Sequence, residues 1–332
     1  MIRERYIDIV KGISILCIVL LHYEKKIFPS EVEIFIGSFM ISSFYVSSGW
    51  VSAMRSRKLT FRELLKKRWR QLGVPYLWWT IIILCFDMIL FVVGYYNILF
   101  IGQEFYKSIT FRGIGTLWFL PALFGGEIIW FFLRRKKVHY RIFALILSMI
   151  YLHIYHTIFD GHSEVIYRII DAPFRTIANI TLAWISIGFG YSCYNKFSTQ
   201  INQGKPLYIF LMGILLFVFA FMTANYLPVE ITFLWPLFAP LVGPLALLLM
   251  MKPIQRYQCF NYFEYWGINS LVLMVTHYSI VLVLFQIIVG KYLELSFTGW
   301  ITIICFLISM VIQWAIVIGI NKYARFTLGK TE

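Results

Sequence analysis

The sequence predicts an all-α integral membrane protein of about ten transmembrane helices with both termini in the cytoplasm, and three observations carry that reading. The 332 residues are 60% hydrophobic and only 14% charged, far from the roughly 25% charged of a soluble domain. Apolar runs of about 20 residues, the length a spanning helix needs, recur along the whole chain and leave no stretch for a separate soluble domain. The cations, finally, are unevenly distributed between the two sides that these runs define.

Taken in order, the runs predict helices over 7–27, 34–54, 72–96, 116–133, 142–159, 176–195, 207–226, 233–251, 268–289 and 299–321. An even number of spans puts both termini on one side. With the N-terminus in the cytoplasm, the inner segments hold 22 of the 30 Lys and Arg residues and the opposite loops hold 7, the bias of the positive-inside rule. Arg3 and Arg5 precede the first run as they would in a signal peptide. Lys11 interrupts that run, however, and no small-x-small cleavage site follows, so it reads as a retained first helix. The expectation is one transmembrane domain over 1–332 in the bacterial cytoplasmic membrane.

A net charge of +14 would suggest nucleic acid in a soluble protein; here it is mostly topology, and no nucleic-acid partner is expected. The five cysteines are scattered, four of them in apolar runs, which argues against a disulfide framework and a structural zinc site. His153 and His156, three apart, have no third ligand nearby, so no metal is expected. One stretch exceeds what topology requires. "RSRKLTFRELLKKRWRQLGVPY", Arg55 to Tyr76, carries eight cations and one acid, suited either to anionic lipid headgroups or to a phosphorylated cytosolic ligand. No Gly-rich phosphate loop, GxGxxG unit or internal repeat occurs.

Titratable side chains cost roughly 2.5–3.5 kcal/mol at membrane depth and usually face an internal cavity. Lys11, His22, Asp87, Glu127, His153, His156 and His277 fall in the predicted spans. Lys11 and His22 are eleven residues apart, so they differ by only about 20° around the helix and are separated by about 16 Å along it. Ile15 and Ile18 lie between them on that face, and Asp8 and Ser14 flank Lys11. One face thus joins a cation near the cytoplasm to a histidine deep in the membrane. The plainer alternative is a lysine that snorkels inward and a histidine that caps a buried carbonyl. The second predicted helix is studded with small residues, among them Ser47, Ser48 and Gly49, which permit close packing or leave room for a cavity.

These residues match a known pattern. The chain resembles the acyltransferase 3 family of integral membrane acyltransferases. The resemblance rests on Lys11 and His22 within "YIDIVKGISILCIVLLH", on "FYVSSGW" with Ser48 and Gly49, and on the basic loop "KKRWRQLGVPY". It continues with "GTLWFLPALF", containing Trp118, and "INSLVLMVTH", ending at His277. Lys11 stands where the family more often has arginine, losing the bidentate fork but keeping the charge. Lys67, Arg68 and Arg70 are all eligible for the family's paired arginines. The resemblance implies acetyl-CoA as cytosolic donor and a hydroxyl of a cell-envelope glycan or lipid-linked saccharide as acceptor. It places the donor's phosphates on Lys67, Arg68 and Arg70, its arm past Lys11 along the Ile15 and Ile18 face, and the chemistry at His22. In that scheme His22 is general base or transient acetyl carrier, Asp8 and Lys11 set the field at the donor's entry, and Glu127 and His277 are candidates for orienting groups. The esterase-like extracytoplasmic domain fused to some members is not expected here. A transporter of a saccharide or lipid-linked glycan is the competing class, although no paired Gly/Pro-interrupted helices or twofold repeat supports it.

Overall fold

The structure, a computed structural model, describes residues 4–23, 28–55, 59–161, 165–227, 229–294 and 299–330. Among these residues there is no strand. The first helices are α1 (Arg5–Tyr23), α2 (Ser30–Phe39), α3 (Ser42–Met54), α4 (Phe61–Arg68), α5 (Val74–Val92), α6 (Ile98–Ile109), α7 (Phe119–Leu133) and α8 (Val138–Phe159). There follow α9 (Val165–Gln203), α10 (Pro206–Tyr226), α11 (Ala239–Ile254), α12 (Asn261–Ile268), α13 (Ser270–Thr276), α14 (Val283–Phe285) and α15 (Trp300–Tyr323). Wider π turns occupy Trp69–Gly73, His277–Leu282 and Gln286–Tyr292.

Every predicted span has a helical counterpart, and among the described residues eight helical stretches are long and apolar enough to cross a membrane. Of the other two, α7 has only 15 residues, and α9 runs for 39, well beyond the predicted 176–195. The predicted helix 34–54 is two helices, interrupted at Met40 and Ile41. The hydroxyls of Ser42 and Ser43 both donate to the Phe39 carbonyl, at 3.0 and 2.9 Å, a local alternative to the helical ladder that bends a chain at such a point. The segment 97–115, read as a loop, contains α6, whose start is capped by the Asn97 side chain accepting from the Phe100 N–H at 2.8 Å. The Tyr76 hydroxyl donates to the Ser108 carbonyl at 2.7 Å, so α6 lies back against α5 instead of crossing solvent. Arg3, Lys25, Lys26, Arg57 and Lys58, which entered the charge pattern, lie outside the described residues.

The chain divides into two compact units. The first comprises Met1–Lys58, Trp184–Leu273 and Phe297–Phe306. Its core gathers Tyr6, Ile9, Val10, Phe35, Phe39, Val46, Trp50 and Leu248, and the Trp50 indole donates to the Tyr6 hydroxyl at 2.9 Å. Two crossings in this unit are backbone against backbone. A Cβ on Gly12 would fall on the Phe263 carbonyl of α12, and one on Gly267 would fall on the Asp8 carbonyl of α1. Gly49 of α3 and Gly190 of α9 meet the opposing carbonyls of Ile187 and Val46 in the same way. Small residues are what let helices approach so closely. Gly12→Ala is therefore expected to lower stability by about 3 kcal/mol, the upper end for overpacking, measured as thermal unfolding in detergent, because the clash is with backbone that cannot turn aside.

The second unit comprises Leu59–Ala183, Met274–Ser296 and Leu307–Glu332. It holds α4 to α8, the first part of α9 and the main length of α15. Among its buried polar contacts the Thr276 hydroxyl donates to Gln313 at 2.7 Å, and Thr116 donates to the Met274 carbonyl.

Candidate active site

Three of the expected residues, Asp8, Lys11 and His22, lie on α1 in the first unit. The N-terminal end of α1 is held by Arg5, whose guanidinium donates to Glu264 (2.7 Å), to Asn261 and to the Gln255 carbonyl. Gln255 in turn accepts from the Tyr6 N–H at 3.0 Å. Sequence reading took Arg5 only for an orienting charge; the partners that make it an anchor are some 250 residues away in the chain. The Gly12 and Gly267 crossing sits at the turn that carries Asp8 and Lys11, so this glycine fixes where the lysine stands. Asp8 is buried and Lys11 partly buried.

Near the other end of α1, Nδ1 of His22 lies 2.7 Å from the Ile18 carbonyl. A carbonyl oxygen only accepts, so Nδ1 carries a hydrogen in this contact. In a neutral ring this contact favours the tautomer with the hydrogen on Nδ1. Ser14 makes the analogous contact one stage earlier, donating to Val10 at 2.9 Å. Ile15 and Ile18, between Lys11 and His22, are 0% and 4% exposed. That corrects one expectation: protein covers this face, so it offers no open track for the donor's arm.

The second unit holds the basic segment from Leu59 onward. Thr60 caps α4 through a reciprocal box with Glu63: the Glu63 N–H donates to the Thr60 hydroxyl at 3.3 Å, and the Thr60 N–H donates to the Glu63 carboxylate at 2.8 Å. The helix then widens into a π turn over Trp69–Gly73, with the Val74 N–H reaching back to the Trp69 carbonyl. Pro75 follows at once, with no N–H to donate and a ring that crowds the turn before it; the wider turn accommodates both. Such π turns are frequent at functional positions. Arg70 is exposed and Lys67 partly so, whereas Arg68 turns inward and pairs with Glu127 of α7, at 14% and 6% side-chain exposure. Arg68 also donates to Gln71 at 2.8 Å. The chain's C-terminal turn braces this region. Gly329, at φ 64, sits against the Arg70 carbonyl where no Cβ would fit, and Phe326 meets the Trp78 ring edge-on at 5.1 Å.

The remaining expected residues are separated by unit. Ser48 and Gly49 belong to the first, and Trp118, Glu127 and His277 to the second. Trp118 precedes α7 and is partly buried, while His277 is 2% exposed and opens a π turn. His156 contacts Asp160 at 2.9 Å on an exposed surface, and among the described residues no group of three His, Cys, Asp or Glu is placed to hold a metal. The five cysteines are unbridged. Sequence reading missed Glu104, counted in a loop yet buried beside Asp87. The missed signal was local: Lys107 at i+3 pairs with Glu104 at 2.6 Å and marks a helix where hydropathy showed only a break.

A family model described as an acyltransferase domain matches residues 4–319. No curated protein and no solved structure matches the chain significantly.

Proposed function

Because the chain belongs to the acyltransferase 3 family, whose domain spans residues 4–319, we propose that this multi-pass membrane acyltransferase moves an acetyl group from cytosolic acetyl-CoA to a hydroxyl of a cell-envelope saccharide. The observation that carries the catalytic assignment is the contact from His22 Nδ1 to the Ile18 carbonyl. An alcohol is a poor nucleophile at neutral pH, and a positioned imidazole that removes its proton contributes roughly 10²–10⁴ in rate. In this reading His22 Nε2 takes the proton of the acceptor hydroxyl while that oxygen bonds to the thioester carbonyl carbon. The carbon–sulfur bond then breaks, and His22 returns the proton to the departing coenzyme A sulfur. The Ile18 carbonyl stabilises the imidazolium that exists between the two transfers.

The basic segment serves the donor. Lys67 and Arg70 reach solvent and suit the coenzyme's phosphates. Arg68, held by Glu127, stiffens the π turn that carries Arg70. Asp8 and Lys11 lie too far along α1 to orient His22 and act on the field of the site. A test follows for Lys11. Transfer from labelled acetyl-CoA is expected to persist in Lys11→Arg, which keeps the charge, and to be lost in Lys11→Leu. Equal activity of the two variants would reduce Lys11 to a snorkelling residue.

A further inference from the structure

Within the second unit a groove of about 440 Å³ is lined almost wholly by carbon. One wall is a single helical face carrying Trp69, Gly73 and Leu77, and Phe124 and Ile128 of α7 with Ile180 of α9 complete it. A Cβ on Gly73 would meet the Trp69 ring, so the bare glycine lets that ring lie along the wall. The hydroxyls at the groove are already engaged, Tyr76 with the Ser108 carbonyl at 2.7 Å and Thr176 with the Thr110 carbonyl at 3.1 Å. Amides or sugar hydroxyls placed there would lose their hydration with no partner to replace it. A hydrocarbon chain does suit it, and the volume has room for one chain and not two. Trp69 and Leu77, at 50% and 48% exposure, leave the groove open to the surrounding bilayer.

Both walls run on into cations at the same end. Along the first, Lys66 precedes Trp69 by three residues and Arg62 precedes Lys66 by four, spacings that keep side chains on one helical face, and both are exposed. Along α7, Phe132 follows Ile128 by four residues and Arg135 follows it by seven, again on one face. The two ends meet in a ring cluster. Phe61, which opens α4, packs on Phe131 and Phe132 at 5.7 and 5.1 Å, and the exposed Arg135 guanidinium stands 4.1 Å from the centre of the Phe131 ring. Glu63, the one acid between Arg55 and Tyr76, turns its carboxylate to the Thr60 N–H at 2.8 Å. At the opposite end, past Phe111 and Thr176, cations stand beside carboxylates: Arg175 pairs with Asp171 at 3.4 Å and Lys107 with Glu104 at 2.6 Å. The larger excess of positive charge therefore lies at the Trp69 end.

We propose that this groove is a site for an anionic membrane phospholipid, with one acyl chain between the walls and the phosphate among Arg62, Lys66 and Arg135. The glycerol of such a lipid separates chain from phosphate, so the cations belong beyond the apolar lining and not within it. Anionic headgroups are drawn to clustered Lys and Arg, while the second chain stays in the bilayer. The chain packs on Trp69, Gly73 and Tyr76 and so braces the π turn from its apolar side. Lys67 lies about 100° further round α4 than Lys66, which leaves it outside the site. The lipid is a structural ligand and takes no part in acyl transfer, so the site stands whichever acceptor the protein uses.

The test measures lipid binding to the full-length protein in detergent by native mass spectrometry, using phosphatidylglycerol, phosphatidylcholine with the same two chains, and inorganic phosphate as a competitor. Phosphatidylglycerol is expected to bind at least about tenfold more tightly than phosphatidylcholine and to stay bound when inorganic phosphate is added. It should also raise the temperature of unfolding, as a ligand of the folded state does. The triple variant Arg62→Gln, Lys66→Gln, Arg135→Gln, all at exposed positions, is expected to bind the two lipids equally. Leu77→Trp, at a half-exposed position where a larger ring is tolerated, is expected to weaken both by about tenfold. Equal binding of the two lipids by the wild type, insensitive to every substitution, would show annular lipid only and overturn the proposal. Displacement by inorganic phosphate would overturn it in favour of a free-phosphate site. A headgroup preference that Leu77→Trp leaves at full strength would overturn the groove and leave only attraction to a charged surface.

Discussion

Replacing His22 with alanine is expected to reduce acetyl transfer by about 10²–10⁴, the contribution of a positioned general base, while the protein still folds and inserts. The ring is only partly buried, and it holds a contact to a carbonyl of its own helix. His22→Gln sharpens the test. Its amide can donate to the Ile18 carbonyl, which preserves the local contact, but it has no basic nitrogen, and transfer should fall as far as in the alanine variant. Rates measured in lipid vesicles alongside thermal unfolding separate the two effects. Full activity in either variant would remove His22 from the chemistry and return it to the role of a carbonyl cap. An acetyl group trapped on His22 of the wild-type protein would select the carrier mechanism over the general base.

The second large effect is expected at the pair formed by Arg68 and Glu127. Both side chains are mostly buried, at 14% and 6% exposure, so Glu127→Ala leaves a guanidinium with its principal counter-charge gone. Breaking a buried pair from one side costs about 3–5 kcal/mol, which should appear as a large fall in thermal stability. Replacing both partners with apolar residues of similar size is often neutral, so the double variant Arg68→Met with Glu127→Leu should recover most of that stability. If the pair also prepares the basic turn for the donor, the recovered protein should still show a raised KM for acetyl-CoA. Recovery of stability and KM together would make the pair purely structural.

The helical architecture was legible because apolar length is a property of the chain itself. Each predicted span has its helix, and the basic stretch from Arg55 to Tyr76 contains a π turn just ahead of Pro75. What hydropathy could not reveal depends on partners distant in sequence. Gly12 resembles any small residue in an apolar run until Phe263 and Gly267 are brought against it. Arg5 reads as a topological charge until Gln255, Asn261 and Glu264 surround it. Glu104 was assigned to a loop because a run of mixed polarity breaks the apolar window, yet the helix it belongs to packs on α5. The face from Lys11 to His22 was correctly placed on one helix, but periodicity does not say what covers a face, and the burial of Ile15 and Ile18 follows from packing that spacing cannot report.

The most direct test of the central claim uses the purified protein in lipid vesicles with acetyl-CoA carrying an isotopically labelled acetyl group and a cell-envelope saccharide as acceptor. The account predicts that the saccharide gains mass in whole labelled acetyl groups with the wild-type protein and gains none with His22→Ala. Passage of the saccharide across the bilayer with its mass unchanged, in the wild type and the variant alike, would contradict it and identify a transporter.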